Sequence, residues 1–135
     1  MRGLQTGTTP MGHEIVLFRL TNTSGISVDA PKRLYSPFVL GMTANAMDID
    51  ATIYFLGLVV TVVRKGVAET VKEGNLPTVK EIMDQAIAAG VKLLVCEQST
   101  QLLRLDRGDC IPEAKVVEAA TLNYLVLDAD GAMWF

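Results

Sequence analysis

Histidine occurs once and cysteine twice in these 135 residues, and no Cys-x-x-Cys pair is present, so the usual donor set of a zinc site is missing. Two thiols in a chain of this length do not make a disulfide framework, and a reducing cytoplasm is the expected compartment. Basic residues never cluster in groups of five or more and the net charge is −3, which argues against nucleic acid as the main partner. Neither a Gly-x-Gly-x-x-Gly nor a Walker-type loop occurs, so a nucleotide would lack its usual phosphate cradle. The uncharged run Ala51 to Val63 is thirteen residues long, short of the roughly 20 that a membrane-spanning helix needs, and reads as a core segment. Residues 1–12 carry one arginine and no apolar stretch of the kind a signal peptide has. Gly3, Gly7, Gly12 and the Thr8-Thr9-Pro10 cluster predict a flexible arm there, ahead of a domain over residues 13–135. Internal repeats and low-complexity segments are absent.

What is present is apolar: half the residues are hydrophobic, a fifth are charged and the mean hydropathy is +0.32. The length suits one domain with a core of its own. So little charge leaves apolar surface to cover, which predicts a homo-oligomer.

Strand and helix patterns alternate. Glu14 to Leu20 reads as a strand running into the polar loop Thr21-Asn22-Thr23-Ser24-Gly25. Asp29 and Pro31 then open a helix with Leu34, Phe38, Met42 and Ala46 on one face, and Pro37 is expected to kink or restart it. Ala51 to Leu56 is a second strand. In Leu58 to Val63 the valines favour a strand, but the order of elements and the Arg64-Lys65-Gly66 ending favour a helix, apolar nearly all round and so expected between subunits. After a polar connection over residues 67–75, Thr78-Val79-Lys80-Glu81 is a capping box, and Val79, Ile82, Met83, Ala86 and Ile87 form one helical stripe ending at Gly90. Residues 91–95, Val-Lys-Leu-Leu-Val, are a strand suited to burial on both faces, followed by a short helix with Leu102, Leu103 and Leu105 on its apolar side. A turn over residues 106–109 leads to a loop with Cys110 and to a strand at Ala114 to Val117. A helix capped by Glu118 or Thr121 carries Leu122, Leu125, Val126 and Ala129, and Ala132 to Phe135 is the last strand. This alternation predicts an α/β fold, a mostly parallel five-stranded sheet with helices on both faces.

The chemistry concentrates at Cys96, which ends the strand of residues 91–95 and precedes Glu97-Gln98-Ser99-Thr100. Ligands of open α/β sheets bind at the carboxyl ends of strands, and a helix start favours thiolate over thiol. The same position suits a small apolar filler, since free cysteine is among the most buried residue types. Asn22, Thr23 and Ser24 are either a pocket wall or an ordinary turn. Ser99 and Thr100 are helix caps or catalytic hydroxyls. Glu97 opposes the thiolate only if it points inward. Cys110, fourteen residues on, is a resolving thiol or a loop cysteine without a partner. Arg104 and Arg107 attract anions or simply solvate a helix end, and His13 is assigned no role.

The first strand, Gly41-Met42, Ala51-Thr52-Ile53-Tyr54-Phe55, Arg64-Lys65-Gly66, Leu76-Pro77-Thr78-Val79-Lys80-Glu81, the stretch of residues 89–99 with its Gly-Val-Lys strand ending in Cys-Glu-x-Ser, Ile111-Pro112 and Glu118-Ala119-Ala120-Thr121 together resemble the DsrE family. The resemblance covers nearly everything after residue 13. It implies a small α/β sheet and a sulfurtransferase or sulfur-carrier role without metal or organic cofactor. The cysteine at the place of Cys96 would take sulfane sulfur, from a small anion such as thiosulfate or polysulfide, as a persulfide or thiosulfonate. It would relay that sulfur to a partner such as a TusA-like carrier. The resemblance further implies a homo-oligomer, a trimer or hexamer; the polar residues near strand ends and helix starts, Asn22, Thr23, Ser24, Gln98, Ser99, Thr100 and Thr121, are the candidate pocket or anion-binding residues. Gln98 departs from the pattern, standing where a methionine or another apolar residue is expected, and the loop after the first strand lacks the Gly-rich or Asp-rich form. Family members without the cysteine act as structural subunits, so a noncatalytic scaffold is the alternative role.

Overall fold

A computed structural model describes residues 13–20 and 32–134. The chain runs β1 (His13–Leu20), α1 (Lys32–Ala46), β2 (Ile49–Leu56), a 3-10 helix (Gly57–Val63), a 3-10 turn (Ala68–Thr70), α2 (Val79–Ala88), β3 (Lys92–Cys96), α3 (Glu97–Leu102), a 3-10 turn (Arg107–Asp109), β4 (Ala114–Val117), α4 (Ala119–Asp128) and β5 (Gly131–Trp134). The strands form one sheet in the order β4-β3-β2-β1-β5, and every neighbouring pair is parallel. The result is an α/β domain with a parallel sheet, as the alternation predicts. The arm at residues 1–12, the Asp29 cap and the loop with Asn22, Thr23 and Ser24 lie outside the described residues.

Strand order explains the distribution of helices. From β1 to β4 the chain steps one way across the sheet, and right-handed crossovers keep α1 and α2 on one face. The step from β4 to β5 goes back past β1, so the same handedness puts α4 on the other face. Side-chain alternation sorts the core accordingly. Ile53, Phe55, Leu93 and Val95 point into a large cluster with Leu34, Phe38, Val79 and Met83, whereas Tyr54, Leu94 and Cys96 point into a small one under Leu122 of α4.

Local signals fix several boundaries. Thr78 Oγ1 accepts from Glu81 N–H at 3.2 Å while Thr78 N–H donates to Glu81 Oε2 at 3.1 Å, the reciprocal box that starts α2. Asn45 holds three elements together: its Nδ2 donates to Ala89 O at 2.8 Å and its Oδ1 accepts from Ala51 N–H at 3.2 Å. Gly90 follows α2 at φ +98°, and a Cβ there would stand 3.0 Å from Asn45 Nδ2, so both backbone and neighbour require glycine.

The structure corrects the sequence reading in four places. Helix α1 runs unbroken from Lys32 to Ala46 with Pro37 inside it, so of the two outcomes expected at that proline the restart does not occur. Gly57–Val63 is helical, but of 3-10 type. Its four valines are buried in this chain's own core, against β1, β2, β3 and α3, and so do not call for a subunit interface. The connection after it is not wholly polar, for Ala68 and Val71 are buried. Leu102 ends α3 at 83 % exposure, since the helix is only six residues long; Leu103 and Leu105 pack against the core instead.

Candidate functional site

Cys96 is the last residue of β3, in register with Val117 of β4, and also the N-cap of α3 at φ −68° and ψ 121°. Leu93, Val95 and Cys96 are buried, as a strand hydrogen-bonded on both sides requires. Its side chain makes no capping bond to α3. The sulfur instead donates to Gln98 Oε1 at 3.5 Å. That oxygen also accepts from the backbone N–H of Ala119, the first residue of α4, at 3.2 Å.

A second side chain meets the sulfur. Tyr54, in the middle of β2 and fully buried, packs in the same cluster as Cys96, and its hydroxyl donates to Glu118 O at 3.3 Å. Burial first, then the negative charge that Cys96 can carry, hold the phenol far above its ordinary value of 10.0. Tyr54 is therefore a neutral donor at physiological pH. With Leu122 overhead, the Cys96 residue is 2 % exposed, so its thiol is covered in this single chain. Among the described residues, the helix that packs over this part of the sheet is α4.

The remaining candidates divide by position. Ser99 is buried, and its Oγ accepts from Gly57 N–H at 2.9 Å, which pins α3 to the end of β2. Thr100 is also buried and donates to Glu97 O at 2.6 Å. Both hydroxyls brace the turn that carries Cys96. Glu97 lies with its carboxylate 4.0 Å from Arg107 Nη2, an exposed pair that leaves Arg107 solvated. Arg104, at φ 55°, is exposed at the end of α3. Thr121 is half-buried in the first turn of α4 and does not cap it; Glu118 holds the cap position without a side-chain bond. Asn22, Thr23 and Ser24 are outside the described residues.

Cys110 belongs elsewhere. It is 3 % exposed in the large cluster, on the sheet face opposite Cys96, and its backbone bridges Arg64. Burial, followed by Asp109, pushes its thiol up, with Lys65 opposing. It is a buried residue rather than the loop decoration that Asp106-Arg107-Gly108-Asp109 suggests. Among the described residues no group of three His, Cys, Asp or Glu side chains is placed to hold a metal ion, and no helix is long and apolar enough to cross a membrane.

Tyr54 escaped the sequence reading, which saw only a strand. Its one signal is chemical: a tyrosine in a strand buried on both faces must find a partner for its hydroxyl.

A parallel sheet with a cysteine at the carboxyl end of an inner strand, covered by the helix of the return crossover, is the arrangement to which the comparisons add a class. The chain matches the DsrE/DsrF-like family over residues 23–135 and belongs to it. Among solved structures it is similar to the ychN protein from E. coli, with a TM-score of 0.67 and 16 % identity over 93 % of this chain and 100 % of that one. It is also similar to a protein of unknown function from Methanobacterium thermoautotrophicum, with a TM-score of 0.61 and 10 % identity over 90 % of this chain and 98 % of that one. At such identities the likeness is one of fold. A search of curated proteins finds no match.

Proposed function

We propose that the protein is a cytoplasmic sulfurtransferase or sulfur carrier in which Cys96 accepts sulfane sulfur and passes it to a partner carrier, such as a TusA-like protein. Membership of the DsrE/DsrF-like family is consistent with sulfur relay. The observation that carries the reading to a residue is the position of Cys96 at the end of β3, with its sulfur donating to Gln98 Oε1 instead of meeting apolar side chains alone. A cysteine kept only to fill space needs no such partner.

The chemistry is nucleophilic. With thiosulfate, the Cys96 sulfur bonds to the sulfane atom, the sulfur–sulfur bond of thiosulfate breaks, and sulfite leaves with the electron pair while the thiol proton passes to it or to water. The product is a persulfide. With tetrathionate, attack on a central sulfur releases thiosulfate and leaves an S-thiosulfonate on Cys96. Either step is an exchange of sulfur–sulfur bonds that needs no outside oxidant. Handing the outer sulfur to the thiolate of an acceptor restores Cys96. Tyr54, neutral and in the same cluster, supplies a donor to a negatively charged sulfur by turning its hydroxyl from Glu118 O.

A homo-oligomer, trimer or hexamer, goes with this reading; Tyr124 and Leu127 on the outer side of α4 are 62 % and 75 % exposed. The 2 % exposure of Cys96 favours a second reading, a noncatalytic subunit in which the cysteine is core. Mass spectrometry after incubation with thiosulfate, polysulfide or tetrathionate separates them. The carrier gains sulfur on the Cys96 peptide and its Cys96→Ser variant does not; no adduct on the wild-type peptide, together with no iodoacetamide labelling of native protein, leaves the scaffold.

A further inference from the structure

We propose that Gln98 is a two-state positioning residue that couples the chemical form of the Cys96 sulfur to the first turn of α4. The inference rests on the reading of Cys96 as the sulfur-bearing residue and goes beyond it, for it concerns how the rest of the molecule registers the load.

In the thiol form one oxygen serves two donors: Gln98 Oε1 accepts from the Cys96 thiol at 3.5 Å and from Ala119 N–H at 3.2 Å. The amide orientation is not arbitrary, since a side-chain NH2 cannot accept from a backbone N–H. Ala119 is the first residue of α4, where backbone donors lack intrahelical partners, and Glu118 at the cap position offers no side-chain bond. Gln98 therefore caps α4 from another element. Tyr54 packs in the same cluster as the sulfur and donates its one proton to Glu118 O at 3.3 Å. The start of α4 and the sulfur thus share Gln98 as a polar partner, and Tyr54 ties the same turn to the sheet.

A persulfide anion or a thiolate has no proton to donate, and its charge repels a carbonyl oxygen. Gln98 is exposed, so its amide is free to turn. Rotation presents Nε2–H2 to the anionic sulfur as a donor, and the same rotation removes the acceptor from Ala119 N–H. The first turn of α4, which covers Cys96, then loses its cap. Loading loosens the lid over the atom to be delivered, and returning to the thiol closes it.

The test uses the full-length chain labelled with nitrogen-15, loaded with polysulfide or tetrathionate and checked for the adduct by mass spectrometry. Amide exchange at Ala119 is expected to rise roughly fivefold on loading, the factor that loss of an ordinary helix cap carries. In Gln98→Leu it is fast before loading and unchanged after. In Gln98→Glu, whose carboxylate accepts from Ala119 but has no donor face, it stays slow in both states, a behaviour that loss of packing would not produce. An unchanged Ala119 in wild-type protein shown to be loaded overturns the proposal.

If no adduct forms, the carrier reading fails and the coupling is judged by titration. Among the described residues the other titratable groups around the sulfur are Tyr54 on β2, Glu97 beside Cys96 and Glu118 at the start of α4, all of which Cys96→Ser retains. An Ala119 resonance that follows thiolate absorbance in wild type and is flat in Cys96→Ser sustains the coupling. A resonance that is flat in both, or moves alike in both, ends it.

Discussion

The hydroxyl of Tyr54 donates to the carbonyl of Glu118 across 3.3 Å, joining the centre of the sheet to the residue just ahead of α4. Because Tyr54 packs in one cluster with Cys96, Tyr54→Phe removes the neutral hydroxyl that can turn to a charged sulfur while keeping the ring in the core. Glu118 O retains Thr121 N–H as a partner, so the structural cost is about 1 kcal/mol, that of one ordinary hydrogen bond. The chemical cost is larger: the charged sulfur loses the donor that the Tyr54 hydroxyl can offer by turning from Glu118 O, and sulfur loading of Cys96 should slow by roughly tenfold at neutral pH. Loading kinetics by mass spectrometry, set beside urea denaturation, check the two effects separately. An unaltered loading rate removes Tyr54 from the chemistry.

Asn45 and Gly90 give a prediction about stability. Asn45→Ala breaks the bonds to Ala89 O and Ala51 N–H, at about 1–2 kcal/mol. Gly90→Ala forces an alanine to φ +98° with its Cβ against Asn45 Nδ2, at about 1–2 kcal/mol for the backbone alone. Shortening Asn45 makes room for that Cβ, so the double variant should lose less than the sum of the single ones, and urea midpoints of the four proteins measure the difference.

How much of this was legible in the sequence follows from how local each signal is. Thr78 and Glu81 are three residues apart and cap the same turn, so the box that starts α2 is readable without any knowledge of the fold. The strand at Lys92–Cys96 is equally plain, because an apolar run buried on both faces announces itself and a polar stretch ends it. Gly57–Val63 was half legible. Order of elements favoured a helix over the β-propensity of its valines, but whether that apolar helix faced another subunit or its own sheet depended on β1, β2 and β3 closing over it. Cys110 and Tyr54 were not legible. The burial of Cys110 comes from its bridge to Arg64, forty-six positions away, and the role of Tyr54 comes from α4, sixty-four positions from it. Neither pairing leaves a trace in local composition.

The exposed side of α4 tests the proposed assembly. Tyr124 and Leu127, three residues apart on one helical face, are left uncovered by this chain, so Leu127→Asp should cost the fold little, within about 0.5 kcal/mol. If copies meet through α4, the variant should sediment and scatter as a smaller species than wild type. Wild-type protein that is already monomeric at micromolar concentration ends the idea of the oligomer, and a variant that assembles like wild type moves the contact away from α4.

The last prediction concerns alkaline pH, where Cys110 and Tyr54 act in sequence. Burial raises Cys110 above its ordinary value of 9.0, and burial with Cys96 raises Tyr54 above 10.0. A raised value means that the folded chain holds its proton when the unfolded chain has lost it. The associated stability is therefore fully present below the unfolded value and is lost as pH rises through the folded one. Unfolding free energy should begin to fall as pH passes 9.0, through Cys110, and fall more steeply above 10.0 as Tyr54 joins. Cys110→Ala should flatten the first part of that fall and leave sulfur loading intact, since Cys110 lies on the sheet face opposite Cys96. Tyr54→Phe should flatten the second part. Urea titrations across this range, on wild type and both variants, read the two limbs. A Cys110→Ala curve parallel to wild type between 9.0 and 10.0 would show that the thiol is hydrated in the folded chain, and a Cys96–Cys110 disulfide in peptide maps after mild oxidation would contradict the placement of the two sulfurs on opposite faces.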